Sequence, residues 1–426
     1  MSPLRAVLAL ALLVSAAAPL GASAMTLPEA IALARRANPG LAEARAQSDA
    51  ASARLAQARA GRLPSLTLSG ESASGTTDLG GFFGFGQSDV SPRGASLQLR
   101  QPLFSGGGVS AAIDQAGEGR AAALAQVGGA TAQLSADVAA AYVGVLSAQD
   151  MLALAKALVG QMETITAQAE LRFKGGEIPR TDLDQARARQ AEARAGLARA
   201  EGQLASRRAH FVAVVGAEPN ALESPDVVAS GLPSSLDEAI ALAAQSSPLL
   251  LAAQATERAA QAGVRYARAE RLPSLALTAT ASTARDQFFP GYSADGVTVG
   301  VQGRWTLFSG GAVTGRIDEA GAMLRIAQSR VDAAQAQVRE AVIRAWGDLA
   351  TSRAVLLAAT DQASAAGSAL NSVRNEVRVG QKPILDLLDA EREALSAQGG
   401  LVAARGDVTV STYRLKALLG GPALTP

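Results

Sequence analysis

A chain of 426 residues could hold two or three ordinary domains, yet only 4% of it is aromatic, it lacks Cys, and His210 is its single histidine. Those counts exclude disulfides, thiolate metal centres and a lipid-anchored N-terminal cysteine, and they argue against a histidine metal cluster. The net charge of +1 gives no reason to expect a nucleic-acid partner, and the wealth of Ala, Leu, Gln, Arg and Glu is that of long helices packed side by side.

Residues 1–24 read as a signal peptide. Arg5 supplies the positive start, Ala6 to Leu20 the apolar stretch and Ala22-Ser23-Ala24 the cleavage site, so the mature chain is expected to begin near Met25. Beyond it, no apolar run is expected to approach the ~20 residues of a membrane-spanning helix. An exported chain of this kind is either soluble outside the inner membrane or inserted as a β-barrel.

Residues 27–62 read as one helix, with Pro28 in its first turn and Pro64 at its end. The apolar period then changes to two. Leu66, Leu68 and Gly70 alternate with Ser65, Thr67 and Ser69, and across a loop Leu97 and Leu99 alternate with Ser96, Gln98 and Arg100. That loop, 75–93, carries Gly80, Gly81, Phe82, Phe83, Gly84, Phe85 and Gly86. From Val109 to Phe173 there is no proline, and 65 residues of helix would run about 100 Å. A return helix follows, with Leu197, Leu204 and Phe211 seven apart.

The series then repeats. Leu27 to Ala34 recurs as Leu236 to Ala243, and Arg62-Leu63-Pro64-Ser65-Leu66 as Arg271-Leu272-Pro273-Ser274-Leu275, each 209 residues on. Leu103-Phe104-Ser105-Gly106-Gly107 recurs as Leu307-Phe308-Ser309-Gly310-Gly311 after 204 residues, so the second copy is five residues shorter between these motifs. Leu275, Leu277 and Ala279 form one strand-like run; Val297, Val299, Val301, Trp305 and Leu307 form another. Their loop, 283–295, holds Phe288, Phe289, Pro290, Gly291 and Tyr292. Aromatic loops on strands of about ten residues suit a membrane hairpin with a lipid face and a wet face, or alternatively a hairpin of a soluble sheet. Four strands close a barrel only if several protomers contribute. Val313 to Val377 is again proline-free; Leu324, Val331, Val338 and Ala345 recur every seven residues, as do Val342, Leu349 and Leu356.

Each long helix pair turns at a matched motif: Phe173-Lys174-Gly175-Gly176-Glu177-Ile178-Pro179-Arg180-Thr181-Asp182-Leu183, then Val377-Arg378-Val379-Gly380-Gln381-Lys382-Pro383-Ile384-Leu385-Asp386-Leu387. The Gly-Gly pairs at 106–107 and 310–311 are read as strand-to-helix kinks, since no Lys-Ser/Thr follows to make a phosphate loop. No catalytic set, metal cluster or cofactor loop is present in the sequence, which makes an enzyme the weakest reading.

In their order and duplication these motifs resemble the TolC family of outer-membrane efflux proteins across the whole mature chain. The resemblance implies a mainly α fold with a small β part. A homotrimeric α-helical tunnel would continue into a twelve-stranded transmembrane barrel, four strands per protomer and two structural repeats per chain. The first repeat would span 25–216 with its hairpin near 64–105. A Pro- and Ser-containing linker would span 217–235, and the second repeat 236–426 with its hairpin near 273–308. The implied function is a passive exit duct for efflux or type I secretion. It would sit in the outer membrane of a Gram-negative bacterium, extend into the periplasm, and open when a periplasmic adaptor and an inner-membrane RND or ABC pump dock. A soluble periplasmic coiled-coil scaffold is the alternative; it would explain the helices but not the alternating runs.

The resemblance also assigns sites. Asp386 and Asp389 match acidic residues that line the periplasmic mouth, and threefold symmetry would stack them as two carboxylate rings with cation selectivity. From the residues alone they also suit a solvated helix start, with Asp389 paired to Arg392. Thr181 and Asp182 match positions of the closed-state network. Lys382 stands where an arginine is found, and Val377 where an aromatic gate partner is found. Gly175, Gly176, Pro179, Gly380, Gln381 and Pro383 would build the tips that the adaptor grips, and turn geometry alone also accounts for the glycines and prolines.

Overall fold

The computed structural model describes residues 24–81, 86–225 and 231–420. All but the last residue of the expected signal peptide, the aromatics Phe82, Phe83 and Phe85, and residues 226–230 of the linker lie outside the described residues.

The same element series occurs twice. Helices α1 (Leu27–Ala37) and α2 (Pro39–Ala60) correspond to α5 (Leu236–Ser246) and α6 (Pro248–Ala269), at 11 and 22 residues each. Helices α3 (Gly108–Lys174) and α4 (Arg180–Val215) correspond to α7 (Ala312–Arg378) and α8 (Ile384–Leu419), at 67 and 36 residues each. Strands β1 (Ser65–Ser72), β2 (Gly75–Asp78), β3 (Gln87–Val90) and β4 (Arg93–Phe104) lie between helices of the first half, and β5 (Ser274–Arg285) and β6 (Ser293–Arg304) between those of the second.

The single helix expected over 27–62 is two helices. Asn38 precedes Pro39 and takes an extended backbone (φ −71°, ψ 122°), because the proline ring crowds the α region of the residue before it. Ser247 before Pro248 does the same, 209 residues on (φ −61°, ψ 122°). The starts are capped alike. Thr26 and Glu29 form a reciprocal capping box, and Ser235 Oγ accepts from Glu238 N at 3.2 Å.

The chain divides into two compact units, and the long helices contribute to both. Among the described residues, the unit formed by 39–81, 86–135, 231–351 and 411–420 holds the strands. Four of them make one antiparallel sheet in the order β1-β4-β5-β6, while β2 pairs with β3 as an extension found only in the first half. This extension accounts for the greater spacing of the motifs in that half.

The register aligns Leu68, Leu97, Ala281 and Val297 across all four strands, then Leu66, Leu99, Ala279 and Val299. The opposite face aligns Ser69, Ser96, Ser282 and Gly296, then Thr67, Gln98, Thr280 and Thr298. Side chains alternate with period two, so one face is aliphatic and the other small and polar. Pro102 is tolerated in the central strand β4 because the ladder is irregular between Pro102 and Phe104. Strand β6 stops at Arg304, short of the expected Trp305 and Leu307. Trp305 turns out of the ladder and donates its indole N–H to Arg271 O at 3.1 Å.

Each Phe-Ser-Gly-Gly motif is a strand-to-helix junction. Gly106 and Gly107 lie at φ 61° and 84°, Gly310 and Gly311 at 59° and 86°. At Gly106 a Cβ would also stand 2.7 Å from Ala269 O. Ser105 Oγ accepts from Val109 N, and Ser309 Oγ from Val313 N, which caps α3 and α7.

The other unit, residues 24–38, 136–225 and 352–410 among those described, is helical. Its core is built from small and aliphatic side chains around buried Tyr142 and Phe211, whose rings lie 6.4 Å apart. Of the expected heptad residues, Leu204 and Phe211 are buried in this unit, and Val338, Val342, Ala345 and Leu349 in the unit that holds the strands.

The expectation that no run would suit a membrane-spanning helix needs correction. Helix α3 contains an 18-residue stretch long and apolar enough by composition. Ala136, Val138, Ala139, Ala141 and Val145 of α3 are buried in the helical unit.

Candidate site at the helix-pair turns

Both helix pairs of the helical unit reverse through the same turn. At the end of α3, Gly176 enters the left-handed region at φ 75°, Glu177 N donates to Arg172 O at 2.9 Å and Gly176 N to Phe173 O at 3.0 Å. At the end of α7, Gly380 lies at φ 78°, Gln381 N donates to Glu376 O at 2.9 Å and Gly380 N to Val377 O at 3.2 Å. This double closure satisfies the last helical carbonyls. Gly175 is not demanded by the turn: a Cβ there would meet nothing closer than 3.6 Å, and its counterpart 204 residues on is Val379.

Pro179 and Pro383 start the return helices, and their carbonyls accept from Asp182 N and Asp386 N at 3.2 Å. Both aspartates therefore sit in a first turn, where the helix dipole favours a carboxylate. Beneath the turns, Ile165 and Ala169 of α3, Leu183 and Ala186 of α4, Val377 of α7 and Leu387 and Leu388 of α8 share one apolar cluster. Val377 thus serves as core.

Asp386 and Asp389 flank the buried Leu387-Leu388 pair and are exposed. Asp389 lies 3.7 Å from the Arg392 guanidinium, the local pair that the sequence admits. Its charge also acts on Arg189 of α4, which donates to Glu192 at 2.7 Å. Glu192 is held below the ordinary carboxylate range, chiefly by that hydrogen bond from Arg189 and in part by Arg392. A charged surface network thus runs between α4 and α8. Lys382 Nζ stands 2.9 Å from Glu376 Oε2, and its pKa is raised first by that partner and further by Asp386. Thr181 Oγ1 lies 3.5 Å from Asp182 Oδ1, at the limit of a hydrogen bond. Among the described residues, no hydrogen bond or ion pair joins Thr181 or Asp182 to Asp386, Asp389 or Lys382.

One charged residue here escaped the sequence reading. Glu391 of α8 has a side chain only 5% exposed and pairs with Arg374 of α7 at 2.7 Å. The available signal was its spacing: it follows Leu387 and Leu388 on the apolar stripe that continues to buried Ala394.

The geometry is that of two matched helix turns over one apolar cluster, with charged side chains on the surface around them. A family model described as outer membrane efflux protein matches residues 30–217 and 239–421, one match per half. The chain is 33% identical to outer membrane efflux protein BepC of Brucella suis, over 75% of this chain and 70% of BepC. It is 25% identical to outer membrane protein TolC of Escherichia coli, over 91% of this chain and 80% of TolC. The solved outer membrane protein VceC of Vibrio cholerae superposes with a TM-score of 0.78 at 22% identity, over 93% of this chain and 96% of that one. The mainly α fold with its small β part and two repeats is therefore that of outer-membrane efflux channels, and the soluble-scaffold alternative is not favoured. With its family model matched in both halves and a third of its residues shared with BepC over three quarters of its length, the chain belongs to the outer membrane efflux protein family, as a passive channel of the outer membrane that extends into the periplasm and not an enzyme.

Proposed function

We propose that three copies of the chain form one exit duct, gated at the helix-pair turns and opened by a periplasmic adaptor with its inner-membrane RND or ABC pump. The observation that carries this reading is the sheet. One face exposes Leu66, Leu68, Val297, Val299 and Val301, with Leu68 at 74% and Val297 at 78%, while the other is small and polar, with Ser, Thr and Gln along its middle rows and Glu71, Arg100 and Arg304 toward its ends. Such a wall suits lipid outside and water inside. Its edges, β1 and β6, run antiparallel to each other in a four-stranded sheet, so the β6 edge of one copy can pair with the β1 edge of the next. Three copies then give twelve strands with no free edge.

In this reading Asp386 and Asp389 form two rings of three carboxylates at the mouth, with Thr181, Asp182 and Lys382 in the surrounding polar network. Gly175, Gly176, Pro179, Gly380, Gln381 and Pro383 form the tips that face the adaptor. Docking relaxes the inner helix pairs outward, and the pump supplies the energy. The test is ion selectivity of the purified channel in planar bilayers. Asp386→Asn with Asp389→Asn is expected to move the cation-over-anion permeability ratio toward unity at unchanged trimer yield. An unchanged ratio would remove these residues from the gate.

A further inference from the structure

We propose that the polar face of the sheet bears an anion-binding site at its helix-proximal end, built by Arg100 of β4 and Arg304 of β6, for carboxylate, sulfonate or phosphate groups of solutes in transit. This rests on the duct reading above, which makes that face the lumen wall. The register puts Arg100 in the row Ser65, Arg100, Thr278, Gly300, and Arg304 opposite Ser274 two steps further along. The remaining rows of the face are neutral except for Glu71, which lies six residues along β1 from Ser65, about 20 Å away at strand rise.

Both arginines line a single cleft of about 190 Å³, together with Ser105, Ser274 and Gln302. That is room for a small anionic group and its waters. No carboxylate lines the cleft, and neither guanidinium has an ion-pair partner among the described residues. Glu270 shares an adjoining cleft of about 370 Å³ with Arg304, but it is held by Arg316 at 2.6 Å. Val109, in the first turn of α3, also borders the cleft and brings the positive end of a helix to it. Two uncompensated guanidinium forks on a neutral wall are a receptor for planar oxyanions, which each fork can bind through two parallel hydrogen bonds. A threefold duct would carry six such forks, a cationic belt opposite in sign to the aspartates of the turns.

The probe is pyrenetetrasulfonate, added on the barrel side of the full-length channel in bilayers of uncharged phosphatidylcholine. The wild-type conductance is expected to be blocked reversibly, and Arg100→Gln with Arg304→Gln to raise the half-blocking concentration at least about tenfold, each channel's block being read as a fraction of its own unblocked conductance. Arg304→Lys, which keeps charge but loses the fork, is expected to fall between. Equal block of wild type and double variant would overturn the site. Loss of block when phosphatidylglycerol replaces part of the lipid would assign the arginines to lipid phosphate and overturn the lumenal assignment. Absence of any conductance would instead overturn the duct. In that event, binding of the probe to detergent-solubilised protein, read by pyrene anisotropy, still decides the site: loss of binding in the double variant supports it, and equal binding sinks it.

Discussion

Tyr142 is fully buried, and its hydroxyl lies 2.6 Å from the carbonyls of both Met25 and Glu223. Met25 N also donates to Ala221 O at 2.8 Å, and Glu223 N to Met25 O at 3.1 Å. One phenol therefore fastens the start of the described chain to the segment that follows α4. Tyr142→Phe leaves the ring packing intact but removes the one O–H donor that the two carbonyls share, so thermal unfolding followed by circular dichroism should show a loss of about 1 kcal/mol. Burial pushes the Tyr142 hydroxyl up to about 12 from the ordinary 10.0. The fold thus favours the protonated phenol. Its contribution is fully present below pH 10 and is lost between 10 and 12, so the wild-type advantage over Tyr142→Phe should vanish across that window. An unchanged advantage at pH 12 would show that the hydroxyl is not what matters. The tie was invisible in the sequence, because its partners lie 117 and 81 residues away and no periodicity marks them. Ser105-Gly106-Gly107 was legible, since a capping side chain and left-handed backbone are local demands.

At the scale of elements, the two helix pairs carry the same ion pair with its signs exchanged. Glu170 of α3 pairs with Arg187 of α4 at 2.8 Å; 204 residues on, Arg374 of α7 pairs with Glu391 of α8 at 2.7 Å. Crossed partnering of the pairs would set Glu170 against Glu391 and Arg187 against Arg374, so the exchange favours each helix's own return partner. Arg374→Glu should cost roughly 2–3 kcal/mol. That is less than for breaking a fully buried pair, because the guanidinium is half exposed while the carboxylate is not. Adding Glu391→Arg should recover most of the loss in a double-mutant cycle of melting temperatures, and additive losses would refute the pairing role. The helix pairs themselves were readable from proline-free length, heptads and Gly-x-x-Pro turns. The break at Asn38-Pro39 was misread because the apolar period runs on across it, while the proline acts on the backbone alone.

At the scale of the molecule, the sheet leaves its aliphatic face bare, and among the described residues neither of its edges, β1 and β6, has a further strand partner. Alternation in the sequence announced the two faces, but not the β2–β3 extension or the end of β6, which depend on hydrogen bonds across strands distant in sequence. Adjacent residues of β6 give the sharpest test of how the faces are used. Val299 stands in the aliphatic row with Leu66, Leu99 and Ala279, and Thr298 in the polar row with Thr67, Gln98 and Thr280. An arginine on the lipid face near the bilayer midplane costs about 2–4 kcal/mol, and threefold assembly would incur it three times. Val299→Arg should therefore abolish the trimer recovered from outer-membrane fractions. Thr298→Arg, one residue away but facing water, should assemble at near wild-type yield and shift ion preference toward anions. Equal yields for the two variants would mean that the aliphatic face does not meet lipid, and the opposite order would place water on the leucine and valine side of the wall.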